Sequence, residues 1–375
     1  MKYIPNIIIF SLLIVSLNCS FQSTLFNRMN KKEKGKNLII SPLSIFQGLS
    51  LAANAAKGET QSEILELLQY DTIEELNKVN YEIISAFKNF TTIEIASAIM
   101  TKFTPLEEFT DTAKKYLAPV EPLVSADQVN DWCSNKTHGR ITKILDKLDP
   151  SLLMILINAV YFKGIWSSKF TTSSTKKLPF YNLGSEEVIV DTMTKFEYKP
   201  YYEDKNVQAI ELKFERDNMS AIIILPANGT DVNTYINYIS KSNGEYKKII
   251  EGLKSAKVRL QLPKFELRFE ESLNQILMDL GMYNAFSAKD ADFTGLTEET
   301  NLFIGKVMHK TYLKVFEEGC EATGMIYFLI YGSALNMNEV IYEMKIDRPF
   351  LFLLRNAKLP AGHDLVFISK IEKIN

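Results

Sequence analysis

Hydrophobic spacing divides the chain into a helical first third and a strand-rich remainder. Between residues 44 and 70 the apolar positions recur at helical intervals: Ile45, Leu49, Ala52 and Ala53 share one face, and after Lys57-Gly58-Glu59-Thr60 a second short helix turns Ile64, Leu65, Leu67 and Leu68 inward. Ser44 is the expected cap of the first of these helices. Residues 76–87 continue the helical pattern, 93–100 read as an apolar strand, and a helix entered at Asn130 is stopped by Gly139. The run from Met154 to Phe162 is almost continuously apolar, the pattern of a strand buried on both faces, and Lys163-Gly164 ends it. Asn158 stands alone in that run and needs a hydrogen-bond partner, because an unpaired buried amide costs about 1–3 kcal/mol.

Farther along, 221–225 is a short buried strand ended by Pro226-Ala227-Asn228-Gly229. Val258, Leu260 and Leu262, then Phe265, Leu267 and Phe269, alternate with polar residues, which predicts one half-buried antiparallel strand in which Pro263 imposes a bend, bulge or edge. Residues 273–281 return to helical spacing. After the acidic turn Glu317-Glu318-Gly319, Cys320, Ala322, Gly324, Ile326, Phe328 and Ile330 alternate with Glu321, Thr323, Met325, Tyr327, Leu329 and Tyr331. Inserted in a sheet, the first set faces the core, beginning small and becoming large. No linker, repeat or low-complexity tract divides the chain, so the pattern gives one α+β unit.

Composition narrows the function by exclusion. With 375 residues, 46% of them hydrophobic, the chain can bury a large core. Its 43 basic and 45 acidic residues leave a net charge of −2, too weak a field to gather nucleic acid or an anionic membrane, and neither is expected as a partner. Three cysteines make no disulfide framework. His138, His309 and His363 lack any metal-ligand spacing, so no metal site is expected. No nucleophile elbow, phosphate loop or dinucleotide fingerprint is present, so no cofactor, no catalytic residue and no enzymatic activity are expected.

At the N-terminus, Lys2 precedes an apolar run from 7 to 17 broken by Ser11 and Ser16. The run is too short for a membrane span and suits a signal core, so residues 1–20 are read as a signal peptide and the chain as secreted to the extracellular space. The other reading is a buried helix face in an uncleaved cytoplasmic or vesicular chain. Asn89, Asn135, Asn218 and Asn228 begin Asn-x-Ser/Thr acceptors, to be glycosylated only on export.

Several segments carry a resemblance. Glu317-Glu318-Gly319-Cys320-Glu321-Ala322 is similar to the hinge of the serpins, and Asp347-Arg348-Pro349-Phe350 resembles the segment that follows their reactive loop. Asn158-Ala159-Val160-Tyr161-Phe162-Lys163-Gly164-Ile165-Trp166 closely resembles another serpin motif, and the likeness runs from about Leu25 to Lys370. It implies one serpin domain over 21–375: helices packed around a large mixed or antiparallel sheet and smaller sheets, with an exposed reactive-centre loop at about 317–343. The hinge comprises Glu317, Glu318, Gly319, Cys320, Glu321, Ala322, Thr323 and Gly324. The resemblance also gathers Ser41, Ser44, Asn158 and His309 in a polar shutter beneath the large sheet, with Trp166 among the structural residues of the shutter and breach.

The activity so implied is that of a monomeric suicide-substrate inhibitor. A serine protease attacks the loop, becomes covalently held as an acyl-enzyme, and is trapped when the loop inserts into the main sheet. Counting from Gly319 places the reactive bond at Ser333-Ala334, which suits an elastase-like small pocket; Leu335 and Met337 are alternatives for a chymotrypsin-like pocket. The fourteen residues from Cys320 to Ser333 extend about 45 Å at roughly 3.3 Å each, enough to cross a large sheet. The alternative is a non-inhibitory serpin, a ligand carrier or chaperone. Such hinges carry charged or bulky residues at the inward positions that Cys320, Ala322 and Gly324 occupy here.

Overall fold

The structure, a computed structural model, describes residues 20–88, 90–242, 244–298, 302–320, 340–360 and 362–375. Its helices are α1 (Phe21–Lys32), α2 (Pro42–Ala55), α3 (Gly58–Leu68), α4 (Ile73–Phe87), α5 (Glu107–Lys115), α6 (Ala126–Lys136), α7 (Val232–Lys241), α8 (Glu245–Gly252) and α9 (Asn274–Asp279). The first eight strands are β1 (Leu38–Ile40), β2 (Ile93–Thr101), β3 (Val120–Pro122), β4 (Met154–Phe162), β5 (Gly164–Ile165), β6 (Lys176–Asn182), β7 (Glu186–Glu203) and β8 (Val207–Lys213). The remainder are β9 (Met219–Pro226), β10 (Lys254–Pro263), β11 (Phe265–Ser272), β12 (Met308–Phe316), β13 (Gly319–Cys320), β14 (Ile341–Lys345), β15 (Phe350–Asn356) and β16 (Leu365–Ile371).

Local chemistry sets the helix starts. Ser41, not Ser44, caps α2: its hydroxyl accepts from the Ser44 amide, and Pro42 takes the first helical position, where no amide hydrogen is needed. Thr72 caps α4 in the same way and adds a turn ahead of the expected start. In α3 the four apolar residues expected to face inward, Ile64, Leu65, Leu67 and Leu68, are buried.

Among the described residues the strands form three sheets. Nine make one sheet in the order β1-β16-β15-β9-β8-β7-β10-β14, with β6 also on β7; four make β11-β12-β13-β5; three make β3-β2-β4. Most pairs are antiparallel, while β10–β14 and β2–β3 are parallel. Pro263 does more than bend a strand, because β10 ends on it and β11 begins at Phe265 in a different sheet. A proline cannot donate to the ladder, so β10 ends on it; the Lys264 amide makes one last bond to the Asp191 carbonyl at 2.8 Å and carries the chain across. The junction is filled by Phe265, whose ring stands edge-on to Phe350 and Phe352 of β15 at 5.7 and 5.4 Å. Every residue of β9, between β8 and β15, is buried.

β4 departs from its expectation. Ile157 and Phe162 are buried, but Met154, Ile155, Leu156, Val160 and Tyr161 are only partly so. The strand is hydrogen-bonded along its length to β2, and among the described residues its other edge has no ladder. Its apolar composition suits a strand with neighbours on both sides, and among the described residues only one side has a ladder.

A buried cation ties the C-terminal strand to two helices. Lys370 of β16 is fully buried; its Nζ donates to the Glu33 carbonyl at 3.0 Å and to Asn233 Oδ1 at 2.9 Å, and pairs with Glu372 at 2.5 Å. Burial pulls the Lys370 pKa down against the raising effect of Glu372. Removing one partner of such a pair strands the other charge, so Lys370→Ala is expected to lower the unfolding free energy by about 3–5 kcal/mol, and Lys370→Met with Glu372→Gln to recover most of the loss. Denaturant unfolding of the two variants checks this.

Candidate functional site

The site is a slot between β12 and the β4–β5 edge, already entered at one end. At the end of β12 the chain turns on Glu317 and Glu318 and comes back as β13, pairing Cys320 with Val315 and Gly319 with Phe316. On its other side β13 pairs Gly319 with Ile165 and Cys320 with Gly164. Two residues thus bridge two strands that otherwise share no ladder among the described residues. Beyond Cys320 the slot is lined by Val160 and Phe162 on one wall and Leu313 on the other.

This close fit depends on glycine. Gly319 has a φ of +153°, and a Cβ there would overlap the Gly164 carbonyl. At Gly164 a Cβ would meet the Phe162 and Phe214 rings at 2.5 Å. Cys320 follows with 1% of its surface exposed, its thiol pKa pushed well up by burial. It is a small apolar filler rather than a reactive thiolate.

The turn is clamped from three sides. Trp166 Nε1 donates to the Phe316 carbonyl at 3.0 Å, and the Trp166 amide donates to the Glu318 carbonyl at 2.9 Å. The Phe170 amide donates to the Glu317 carbonyl at 2.9 Å. Phe214 stacks on Trp166 with centroids 4.4 Å apart and rings 14° from parallel. The Glu317 carboxylate accepts from Thr175 Oγ1 at 2.7 Å and from Lys264 Nζ at 3.1 Å. Burial opposes its ionisation, yet these donors hold its pKa below the usual carboxylate range.

Beneath the slot, His309 on β12 is buried and its Nε2 accepts from the Ser41 amide at 3.1 Å. Burial drops its pKa from the ordinary 6.5 to about 4, so the ring is neutral near pH 7. Ser41, Ser44 and His309 therefore meet in one buried polar cluster, with Thr311 Oγ1 donating to the Ile39 carbonyl at 2.8 Å beside it. Asn158 lies in β4 opposite Ser97. Glu321, Ala322, Thr323 and Gly324 of the hinge lie outside the described residues, as do Ser333, Ala334, Leu335, Met337, Asn89 and residues 1–19.

Sequence reading missed Phe214, Thr175 and Lys264 as partners of the hinge. The first two carry no local signal, and only the proline before Lys264 hinted at a special position. Gly164 was noted as a strand stop, whereas its larger part is to admit Gly319. Among the described residues no group of three or more His, Cys, Asp or Glu side chains could hold a metal ion, and no helix is long and apolar enough to cross a membrane.

A mixed α+β fold in which the first residues of a long connection pair between two strands that share no other ladder among the described residues is a distinctive class. The model of the serpins, described as serine protease inhibitors, matches residues 16–373, and the chain belongs to the serpin family. That family is described by inhibition, not by an enzymatic reaction. The chain is 30% identical over 353 residues to the leukocyte elastase inhibitor of Xenopus laevis, covering 88% of this chain and 92% of that protein. Its fold is similar to that of tengpin, a thermophilic serpin, in the native state, with a TM-score of 0.84, 29% identity, and coverage of 95% and 93% of the two chains. It is also similar to thyroxine-binding globulin in complex with thyroxine, at a TM-score of 0.83, 25% identity, and coverage of 96% and 99%.

Two outcomes follow from this geometry. Gly319→Ala is expected to expel β13, so that Cys320, inert to a thiol reagent in the native wild type, labels rapidly in the variant; equal labelling would show that the two-residue strand is not held by glycine contact. Acid should also weaken the fold. His309 and His363 both have pKa values lowered by burial to about 4, so the folded state binds fewer protons than the unfolded one between about 4 and 6.5. The stability each contributes is full above about 6.5 and is lost as pH falls toward 4, on the order of 3 kcal/mol per histidine. Thermal unfolding across that range checks the slope, which His309→Gln should reduce.

Proposed function

We propose that the chain is a suicide-substrate inhibitor of chymotrypsin-like or elastase-like serine proteases, acting through a reactive-centre loop at about 317–343. The protease serine Oγ attacks the Ser333 carbonyl, the bond to Ala334 breaks, and the new amine of Ala334 leaves with the proton. The ester that remains tethers the protease to the segment ending at Ser333. That segment then enters the slot between β12 and β4, antiparallel to both, and continues the pairing that β13 begins. Leu335 and Met337 are the alternative points of attack.

The observation that carries this reading is the slot itself, with Gly319 and Cys320 already paired inside it. Among the described residues no ladder joins β4 to β12 beyond the two residues of β13, and a strand laid between them would satisfy two ladders at once. Ala322 and Gly324 would follow Cys320 as further small inward residues. Ser41, Ser44, Asn158, His309 and Trp166 act here as structural residues that set how readily β12 and β4 part, and the inhibitor works as a monomer.

Secretion belongs to the same proposal, with 1–20 removed as a signal peptide and 21–375 forming the serpin domain. Of the three acceptors within the described residues, Asn228 is the best presented, since Asn228, Gly229 and Thr230 are all exposed in a turn. Asn135 and Asn218 are exposed too, but Thr137 and Ser220 are buried. The second reading, a ligand-carrying serpin, is favoured by the likeness to thyroxine-binding globulin, a protein whose structure holds thyroxine.

Mixing the protein with chymotrypsin-like and elastase-like proteases tests the choice. A denaturant-resistant complex and release of a C-terminal peptide beginning at Ala334 are the expected result, and a peptide beginning after Leu335 or Met337 would move the reactive bond. Ala322→Arg should turn the inhibitor into a substrate, cleaved with no complex. Cleavage of the wild type without complex and without a gain in thermal stability would favour the carrier.

A further inference from the structure

The pairs made by β13 fix the register of any strand that continues it. Cys320 stands between Val315 and Gly164, and with an antiparallel ladder on each side every residue forward moves one residue back along both walls. Position 322 therefore falls between Leu313 and Phe162, which are buried, and position 321 between Lys314 and Lys163, which are exposed. Burial thus alternates in phase on the two walls, as it must where one strand serves both. A residue at 321 points to the outer face with a lysine on either side.

Those two cations are lightly engaged. Lys163 donates its backbone amide to the Thr92 carbonyl at 2.7 Å, and among the described residues its ammonium has no ion pair. Lys314 lines the slot and lies 3.7 Å from Glu266, a carboxylate that Arg268 already holds at 3.1 Å. The sequence brings one charge to meet them: from Cys320 to Asn338, Glu321 is the only charged residue.

We infer that Lys163 and Lys314 form a carboxylate clamp that receives Glu321 at the first outward step of loop entry beyond Cys320, and so helps entry to outrun hydrolysis of the acyl-enzyme. This rests on the inhibitory reading above and assigns two positioning residues to it. Opposite charges directly across a ladder stabilise the pair, and here one carboxylate gains such a neighbour on both sides. The clamp also sets the register. A slip of one residue turns Glu321 to the inner face, between Leu313 and Phe162 or between Val315 and Gly164, where a carboxylate is costly.

The test uses one elastase-like or chymotrypsin-like protease throughout and measures the ratio of covalent complex to cleaved, released inhibitor on denaturing gels. Lys163→Gln and Lys314→Gln are each expected to lower the ratio about threefold, and the pair of them, or Glu321→Gln alone, about tenfold. These losses should shrink at high salt. Both lysines are exposed, so the thermal midpoint of the uncleaved protein should not move. Lys163→Glu with Lys314→Glu should lower the ratio further, and adding Glu321→Lys to that pair should restore it, which a merely structural role for the lysines does not predict. A ratio that the glutamine variants leave unchanged, or that the charge exchange leaves low, overturns the clamp and leaves the trap intact. Failure of the wild type to form any complex removes the inhibitory reading on its own, and the cleaved forms then decide the clamp. A thermal gain on loop cleavage that is smaller in Glu321→Gln retains it as part of loop entry; an equal gain, or none, overturns it.

Discussion

Backbone hydrogen bonding across one open slot governs this molecule. β4 has a partner on one edge and β12 on one edge, and between them only Gly319 and Cys320 supply a ladder among the described residues. Unpaired backbone in a sheet is costly when dry and adhesive when wet, so edges that carry no ladder among the described residues are places where a further strand would bind. The half-exposure of an apolar β4 is the visible sign of it. Its side chains are those of a fully covered strand, and its surroundings are not.

A set of small parts holds the entrance of the slot. Two glycines allow the backbones of β13 and β5 to touch. Trp166, stacked on Phe214, and the buried carboxylate of Glu317 fix the turn above, while the neutral His309 and the Ser41 amide fix β12 from below. None of these groups does chemistry. Their effect is on the ease with which strands separate, and a satisfied buried network makes that ease a property of the whole cluster rather than of one bond.

Much of this was legible in the sequence. Helical spacing located α3 and most of α2 and α4, and alternation located the strands on either side of Pro263. The turn at Glu317, Glu318 and Gly319 was visible because acidic residues followed by small ones stand out against an apolar run. The rest depends on contacts distant in the chain. Ser44 was read as the cap of α2, and Ser41 takes that place because Pro42 occupies the first helical position. Pro263 announced an interruption, but no local pattern says that β11 belongs to another sheet. The length of β7 was hidden because its side chains face different neighbours along its course and no single period survives. Phe214 and Thr175 carry no signal until folding brings them to the hinge.

Lys264 couples the two sheets mechanically. It is the single residue between β10, whose edge holds β14 and thus the returning end of the loop, and β11, which supports β12 and the departing end. Its ammonium also grips Glu317 at that departing end. The two ends of the segment that joins β13 to β14 are therefore shackled to one short piece of chain, and a pull on either is carried to the other through covalent bonds rather than through packing. A load applied to the loop by a bound protein would be borne across both sheets together, so the scaffold resists being prised open one strand at a time.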